Sequence, residues 1–212
     1  MSTRPREHRV VLATRNPHKV GELRDILADA LHRTGLTLVG LDDVTATPSV
    51  AETGVTFAEN ALLKARATVA ATGLPALADD SGLAVDVLGG SPGVFSARWS
   101  GTEGPDRDRA NYELLLTQLA DVPPEHRGAG FVCAAALVLP DGTEVVREGR
   151  CRGRVATAPR GDGGFGYDPV LVMADGRTLA QYRPAEKHAV SHRGAAFRAL
   201  AQDLPALLGD GT

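Results

Sequence analysis

The spacing of apolar residues along the chain predicts alternating strands and helices. Residues 10–13 and 36–41 are short apolar runs typical of buried strands, and between them apolar residues recur at helical spacing from 20 to 31. Thr56 and Glu59 then form a capping box, which opens a helix with an apolar stripe. Strand, helix and strand therefore follow one another from the start.

The second half of the chain changes this pattern. Asp79-Asp80-Ser81-Gly82 separates two strand-like stretches, and its composition predicts a turn at the end of the first. Further elements are predicted as a helix over 109–119, a hairpin of strands 131–139 and 144–155, and a closing helix with apolar positions 197, 200, 204 and 207. The antiparallel hairpin among helices predicts an α/β fold, with a mixed central β-sheet flanked by helices, in one domain of residues 1–212.

Composition and charge exclude several classes of protein. Hydrophobic residues make up 43% of the 212, so the chain is not of a disordered class, and a net charge of −3 offers no basic field for nucleic acid. Residues 1–8 contain no apolar signal core, and the apolar run 131–139 is less than half of the roughly 20 residues that span a bilayer. Cys133 and Cys151 form no disulfide framework or zinc motif. We therefore expect a cytoplasmic protein with no membrane or nucleic-acid partner.

The basic residues are strongly biased toward arginine. Only Lys19, Lys64 and Lys187 are lysines among 23 basic residues. Since a compact ammonium and a planar guanidinium are not interchangeable at tight sites, the three lysines are candidates for functional positions. Chance is the alternative explanation.

A first candidate for phosphate binding lies between the first strand and the first helix. The segment Thr14-Arg15-Asn16-Pro17-His18-Lys19 places an N-cap residue and a proline where the helix begins. Free amides at a helix start attract phosphate, and Thr14, Arg15 and Lys19 would add a hydroxyl and two cations. The segment matches neither the P-loop nor the dinucleotide fingerprint, and an ordinary capped helix with solvated basic residues is the alternative.

Carboxylates at Glu52, Asp79 and Asp80 are candidates for holding a metal ion. Mg²⁺ prefers oxygen ligands and usually takes one or two carboxylates together with substrate phosphates and water. Because side chains alternate along a strand, we expect one of Asp79 and Asp80 to serve the site while the other supports the turn. A solvated acidic turn is the alternative.

Two later segments offer a pocket for a nucleobase. Gly163-Gly164-Phe165-Gly166-Tyr167-Asp168-Pro169 combines a flexible backbone with two aromatic rings, and an aromatic face can stack on a base at about 1–3 kcal/mol. Lys187 and then Ser191 precede the predicted last helix, which Ser191 would cap. Cations in a first helical turn oppose the helix dipole, so His192 and Arg193 indicate a nearby anion or other acceptor. A tight turn with core aromatics and an ordinary basic surface are the alternatives.

Together these segments resemble the nucleoside triphosphate pyrophosphatases known as inosine triphosphatases or XTP/dITP diphosphatases. The resemblance runs from Val10 to about Leu204 and rests on six motifs in order. These are Thr14-x-Asn16-x-x-Lys19; Glu52-Thr53-Gly54 with Phe57-x-Glu59-Asn60-Ala61-x-x-Lys64-Ala65; Ala78-Asp79-Asp80-Ser81-Gly82-Leu83; Ser96-Ala97-Arg98; Gly163 to Pro169; and Lys187 with Ser191-His192-Arg193-Gly194. All three lysines fall within these motifs.

The resemblance implies two lobes around a nucleotide-binding cleft, a homodimer, and Mg²⁺-dependent hydrolysis of ITP, dITP and XTP to the monophosphate and pyrophosphate. By position, Asp80 would be the general base and a metal ligand, and Glu52 a second metal ligand. The residues implied to bind substrate are Thr14, Arg15, Asn16, Pro17, His18, Lys19, Ser81 and Lys187 at the triphosphate, and Phe165, Gly166, Tyr167, Asp168, His192 and Arg193 at the base.

Two other functions remain open at this point. One is a pyrophosphatase for pyrimidine or modified nucleotides, which turnover of UTP or dTTP above that of ITP would reveal. The other is a nucleotide-binding regulator without turnover. The carboxylates discriminate between enzyme and regulator, because a regulator has no need of Asp80 beside a metal ion.

Overall fold

The computed structural model of the protein describes residues 8–15, 17–45 and 50–209. Its strands are β1 (Arg9–Leu12), β2 (Thr37–Gly40), β3 (Ala76–Val85), β4 (Gly128–Val138), β5 (Glu144–Val155) and β6 (Leu171–Val172). Its helices are α1 (Pro17–Thr34), α2 (Phe57–Thr72), α3 (Arg107–Gln118), α4 (Pro184–Val190), α5 (His192–Ala201) and α6 (Leu204–Leu208).

The strands form one sheet in the order β2-β1-β3-β4-β5-β6. Strand β1 is parallel to both β2 and β3, whereas β5 is antiparallel to β6. Parallel neighbours need a crossover connection, and α1 and α2 lie in the segments that join β1 to β2 and β2 to β3. The predicted α/β class with a mixed sheet is therefore confirmed.

The chain divides into two compact units. Unit 1 comprises the described residues up to Asp79, Ala134–Arg147 and those from Ala196 onward; unit 2 comprises Asp80–Cys133 and Glu148–Ala195. One core cluster of unit 1 is rich in alanine, with Ala61 and Ala65 of α2 packed among alanines of β3 and β4. Such small side chains allow the helix to approach the strands closely. Unit 2 has its own core, built from leucines, valines and the aromatic rings of residues 131 and 167.

Several local signals in the sequence produce the predicted structure. The Glu59 amide donates to Thr56 Oγ1 (3.1 Å) and the Thr56 amide donates to Glu59 Oε2 (3.0 Å), which is the expected capping box of α2. The helix ends at Gly73, whose φ of 67° suits glycine. Strands β4 and β5 are sheet neighbours joined by a tight turn in which the Gly142 amide donates to the Leu139 carbonyl (3.0 Å). The predicted hairpin is confirmed.

Three predictions about elements were wrong or incomplete. Asp79-Asp80-Ser81-Gly82 is not a turn but lies inside the continuous strand β3, which has a neighbour on each side in the sheet. Main-chain pairing within the sheet outweighs the turn preference of these residues. The closing helix is split into α5 and α6, because Pro205 has no amide hydrogen with which to continue the hydrogen bonds of α5. Helix α4 was not predicted.

The described helices were also compared with the length and hydropathy that a membrane span requires. Within the part of the chain that the structure describes, none is long and apolar enough to cross a bilayer.

Candidate active site

Unit 1 contains a pocket of about 230 Å³ that brings together the first motif, the Glu52 segment, helix α2 and strand β3. The polar and charged residues of its wall are Thr14, Arg15, Lys19, Thr45, Glu52, Lys64, Thr68 and Asp79. Two of the three lysines of the chain therefore line one pocket, together with two of the three candidate carboxylates.

Lys19 and Asp79 form an ion pair in the wall of this pocket. The Lys19 Nζ atom lies 3.1 Å from each carboxylate oxygen of Asp79, and the Asp79 side chain is only 2% exposed. Lys19 is in the first turn of α1 and Asp79 is in β3, and the parallel pairing of β1 with β3 brings these two elements together. A buried carboxylate needs such a partner, because an unpaired buried charge is strongly destabilising.

Helix α2 holds the Glu52 segment through two contacts. Lys64 Nζ donates to Glu52 Oε1 at 2.8 Å, and the Gly54 amide donates at 2.8 Å to Oδ1 of the fully buried Asn60. A Cβ at Gly54 would lie 2.7 Å from that same oxygen, so the segment can approach the helix only with glycine at this position. The spacing of Asn60 and Lys64, one helical turn apart, explains why Glu52 and Gly54 are held side by side.

The remaining residues of the first motif are only partly described. Thr14 lines the pocket, and Arg15, which is partly exposed, pairs with Asp42 across the start of α1. Asn16 and the side chains of Pro17 and His18 lie outside the described residues, so the predicted N-cap and the proposed contacts of these three residues stay predictions.

In unit 2, the glycine-aromatic loop is organised around the carboxylate of Asp168. Its Oδ2 atom accepts the Phe165 amide (2.9 Å) and Lys187 Nζ (2.6 Å), and both charged side chains are buried. A Cβ at Gly164 would collide with this carboxylate and lie 3.0 Å from the ammonium, and its φ of 75° also requires glycine. The loop therefore folds over a buried ion pair.

Phe165 is the exposed aromatic ring of this loop. It is 40% exposed, with Lys187 Nζ 5.2 Å and Arg193 Cζ 5.4 Å from the ring centroid. Both cations lie within the range of a cation–π contact. Phe165 is therefore a partly exposed ring with two cationic groups within contact range, and an exposed aromatic ring is a surface on which a base can stack.

The start of helix α5 carries the late basic motif. The Gly194 amide donates to Ser191 Oγ (3.0 Å), so Ser191 caps the helix as predicted. His192 and Arg193 are buried in the first turn, and the imidazole of His192 stacks on Phe131 with ring centroids 4.6 Å apart. A buried histidine and a buried arginine at this end of a helix differ from an ordinary solvated basic surface.

Tyr167, in contrast to Phe165, is a core residue. Its hydroxyl donates to the Ser96 carbonyl (2.9 Å), and Ser96 Oγ in turn accepts the Leu83 amide (2.9 Å). Burial raises the pKa of the Tyr167 hydroxyl, so the phenol stays neutral. The Ser96 motif therefore ties the aromatic loop to strand β3, three residues beyond Asp80.

The two remaining site candidates lie in strand β3. Asp80 is buried, whereas Ser81 is partly exposed, and both belong to the strand rather than to a turn. Asp79 and Asp80 occupy successive strand positions, the arrangement in which side chains leave opposite faces. Among the residues that the structure describes, no group of three or more histidine, cysteine, aspartate or glutamate side chains is arranged to hold a metal ion.

Comparison with known proteins identifies the family. A model of the Ham1 family matches residues 10–203, which is most of the chain and includes every motif described above. The chain belongs to the Ham1 family.

Ham1-family relatives match it along nearly their whole length. A protein of Streptomyces avermitilis named dITP/XTP pyrophosphatase is 61% identical over 204 residues, which cover 95% of this chain and 99% of the relative. A HAM1 protein from Coxiella burnetii has a similar structure, with a TM-score of 0.83 and 37% identity over 93% of this chain and 98% of that one. The crystal structure of a nucleoside-triphosphatase, dITP/XTP pyrophosphatase, from Mycobacterium abscessus has a TM-score of 0.74 and 54% identity over 93% and 99% of the two chains.

The structure adds residues of this Ham1-family chain that sequence reasoning had not assigned to the site. Lys64 lines the pocket of unit 1; the scarcity of lysine in the chain had marked it as a candidate, but without a role in the site. Asp108 of α3 accepts the Gly166 amide (2.8 Å), and no sequence pattern marked it, because its partner lies 58 residues away in the chain. Lys187 was assigned to the triphosphate, but its ammonium contacts Asp168, a residue assigned to the base.

Proposed function

We propose that this chain hydrolyses ITP, dITP and XTP between the α and β phosphates, releasing a nucleoside monophosphate and pyrophosphate and so removing these nucleotides from the precursor pool. The chain is an enzyme of the nucleoside triphosphate pyrophosphatase class, as the names of its relatives indicate. The single observation that supports the proposal most is the pocket of unit 1, where two lysine–carboxylate pairs meet a hydroxyl-bearing loop.

The ion pairs of this pocket suit the binding of a metal-bound polyphosphate. The ammonium groups of Lys19 and Lys64 pair with Asp79 and Glu52. Phosphate oxygens can replace the carboxylates as acceptors for the lysines, while a cation can replace Lys64 as the partner of Glu52. Thr14 and Arg15 add further donors in the wall of the pocket.

Glu52 and Asp80 are the residues we propose to hold Mg²⁺. Their carboxylates are hard oxygen donors, and two protein ligands suffice because substrate phosphates and water complete the shell of this ion. When bound, Mg²⁺ would neutralise phosphate charge and lower the pKa of water. We assign Asp80, buried in β3, to accept the proton of the attacking water, and Ser81 to contact the triphosphate.

Base recognition belongs to the aromatic loop and the start of α5. Phe165 would stack on the purine, and the Asp168–Lys187 pair would hold the loop that carries this ring. Inosine and xanthine have an oxygen at C6 where adenine has an amino group, so a donor from His192 or Arg193 favours them by about 1–3 kcal/mol. Gly166 and Tyr167 complete the loop, which is anchored where the Gly166 amide donates to Asp108 and the Tyr167 hydroxyl donates to the Ser96 carbonyl.

The central experiment is a panel of ITP, XTP, dITP, GTP, ATP and UTP, assayed with Mg²⁺ for pyrophosphate and for orthophosphate separately. We expect pyrophosphate as the first product, the highest kcat/KM for ITP, dITP or XTP, and loss of activity in EDTA that Mg²⁺ restores. Orthophosphate as the first product would mean cleavage at the γ phosphate and would overturn the proposal. Faster turnover of UTP would instead support a pyrimidine nucleotide as substrate.

Two variants test the assigned roles. Asp80→Asn should abolish hydrolysis while substrate affinity, measured by calorimetry, stays close to that of the wild type, because the amide cannot accept the proton. Full activity of this variant would remove Asp80 from the mechanism. Arg193→Ala should narrow the preference for ITP over ATP, and an unchanged ratio of kcat/KM values would count against this contact.

We also propose that the enzyme is a cytoplasmic homodimer, as the sequence resemblance implies. Light scattering coupled to size exclusion measures the mass directly. A mass equal to one chain of 22.1 kDa at assay concentration would contradict the dimer.

A further inference from the structure

The imidazole of His192 is held on two sides by residues that have no role in the proposed chemistry. Its ring stacks on Phe131 at an interplanar angle of 14°, and its Nδ1 atom lies 3.8 Å from Sγ of Cys151. This separation is within the range of a hydrogen bond that involves sulfur. Both His192 and Cys151 are buried, so neither group exchanges this contact freely for water.

The burial of Cys151 determines whether its sulfur carries a proton. Burial raises the pKa of the thiol, so Cys151 is a neutral thiol at physiological pH. A thiol S–H can donate to an unprotonated imidazole nitrogen, and Nδ1 of His192 is the ring nitrogen next to it.

A neutral imidazole that accepts a hydrogen bond at Nδ1 carries its proton on Nε2. We propose that Cys151 is a positioning residue that holds His192 in the Nε2–H tautomer, so that His192 offers a hydrogen-bond donor to the purine base. A donor matches the C6 oxygen of inosine and xanthine and is mismatched with the C6 amino group of adenine. This inference rests on the proposed function. It adds Cys151 as the residue that fixes the tautomer of His192 for its contact with the base.

A purely structural role of Cys151 predicts something different. The residue belongs to the apolar core of unit 2, so its truncation would lower stability whatever the tautomer. The tautomer of His192 is a readout that loss of packing alone would not move. Cys151→Ser keeps a donor at the same position, whereas Cys151→Ala removes it.

The test combines NMR with kinetics. In protein labelled with ¹⁵N-histidine, the His192 signals are assigned by their loss in His192→Gln, and the ¹⁵N shifts report which nitrogen is protonated. We expect an unprotonated Nδ1 and a protonated Nε2 in the wild type and in Cys151→Ser, and a mixture of tautomers in Cys151→Ala. The ratio of kcat/KM for ITP to that for ATP should fall by about three- to tenfold in Cys151→Ala and stay within about twofold in Cys151→Ser.

Cys133→Ala is the matched control, because it removes the other buried thiol of the chain and should change neither readout. A protonated Nδ1 in the wild type would overturn the inference even if Cys151→Ala failed to fold. An unchanged tautomer in Cys151→Ala would overturn it as well, and a shifted tautomer with an unchanged ITP-to-ATP ratio would remove the role in base selection. If the wild type did not hydrolyse ITP, the proposed function would fail, whereas the NMR measurement would still show which nitrogen of His192 is protonated.

Discussion

The ion pair between Lys187 and Asp168 gives the sharpest test of how the base-binding loop is held. The Lys187 side chain is 11% exposed and that of Asp168 is 4% exposed, with the charged atoms 2.6 Å apart. Lys187→Met keeps the length of the side chain but leaves the carboxylate without its cation. Removing one partner of a buried pair costs about 3–5 kcal/mol, because an uncompensated charge stays buried.

The structure favours the lower end of that range. Asp168 Oδ2 keeps the Phe165 amide as a donor, and the slight exposure of the lysine site allows water to approach the carboxylate. We therefore expect Lys187→Met to lower the free energy of unfolding by about 3 kcal/mol. Urea unfolding followed by fluorescence is the assay, since Trp99 is the single tryptophan and lies in the same unit as the pair.

Two further variants make the interpretation specific. Arg109→Met removes a cation of the same unit whose pair with Glu113 is exposed, with side-chain exposures of 69% and 51%, and should lose only a small fraction of that stability. In Lys187→Met/Asp168→Leu no buried charge is left, so much of the lost stability should return. A loss in Lys187→Met no larger than in Arg109→Met would refute the reasoning that the pair is buried and essential to the loop.

Three other predictions follow from single contacts. Gly164→Ala should raise KM for ITP at least tenfold, since its Cβ would collide with the buried Asp168–Lys187 pair. Gly166→Ala has open space around its Cβ and should mainly lose about 1–2 kcal/mol of stability because of its positive φ. Equal KM values for the two variants would contradict this prediction. Arg66 lowers the pKa of Glu144 below its ordinary 4.5, so the folded state binds fewer protons than the unfolded state. The stabilisation is therefore present above pH 4.5 and lost as the pH falls through the lower folded pKa. The stability difference between wild type and Arg66→Gln, from urea unfolding, should be present at about pH 7 and shrink steadily as the pH falls below 4.5. Thr56→Ala should lower the stability of unit 1 by about 1 kcal/mol, because helix α2 loses its N-cap. A thermal midpoint equal to that of the wild type would show that this cap does not stabilise the protein.

The sequence by itself determined those features that depend on neighbours along the chain. The capping box at Thr56, the cap at Ser191 and the hairpin turn all follow from residues within a few positions of one another, whose hydrogen bonds form without distant partners. The split of the closing helix was equally local, since Pro205 marks it, and it was missed only because the apolar spacing continued through the break. The scarcity of lysine pointed to all three lysines that the structure places in ion pairs.

Tertiary structure decided the partners of those lysines and the conformation of the acidic motif. Asp79 and Asp80 have the composition of a turn, yet they lie in a strand because main-chain pairing within the sheet outweighs that local preference. Lys64 pairs with Glu52 and Lys187 with Asp168 across 12 and 19 residues, and such contacts depend on where helices and loops pack rather than on local preference. The contact between Cys151 and His192, 41 residues apart, belongs to the same class: only the packed core brings a thiol to an imidazole nitrogen.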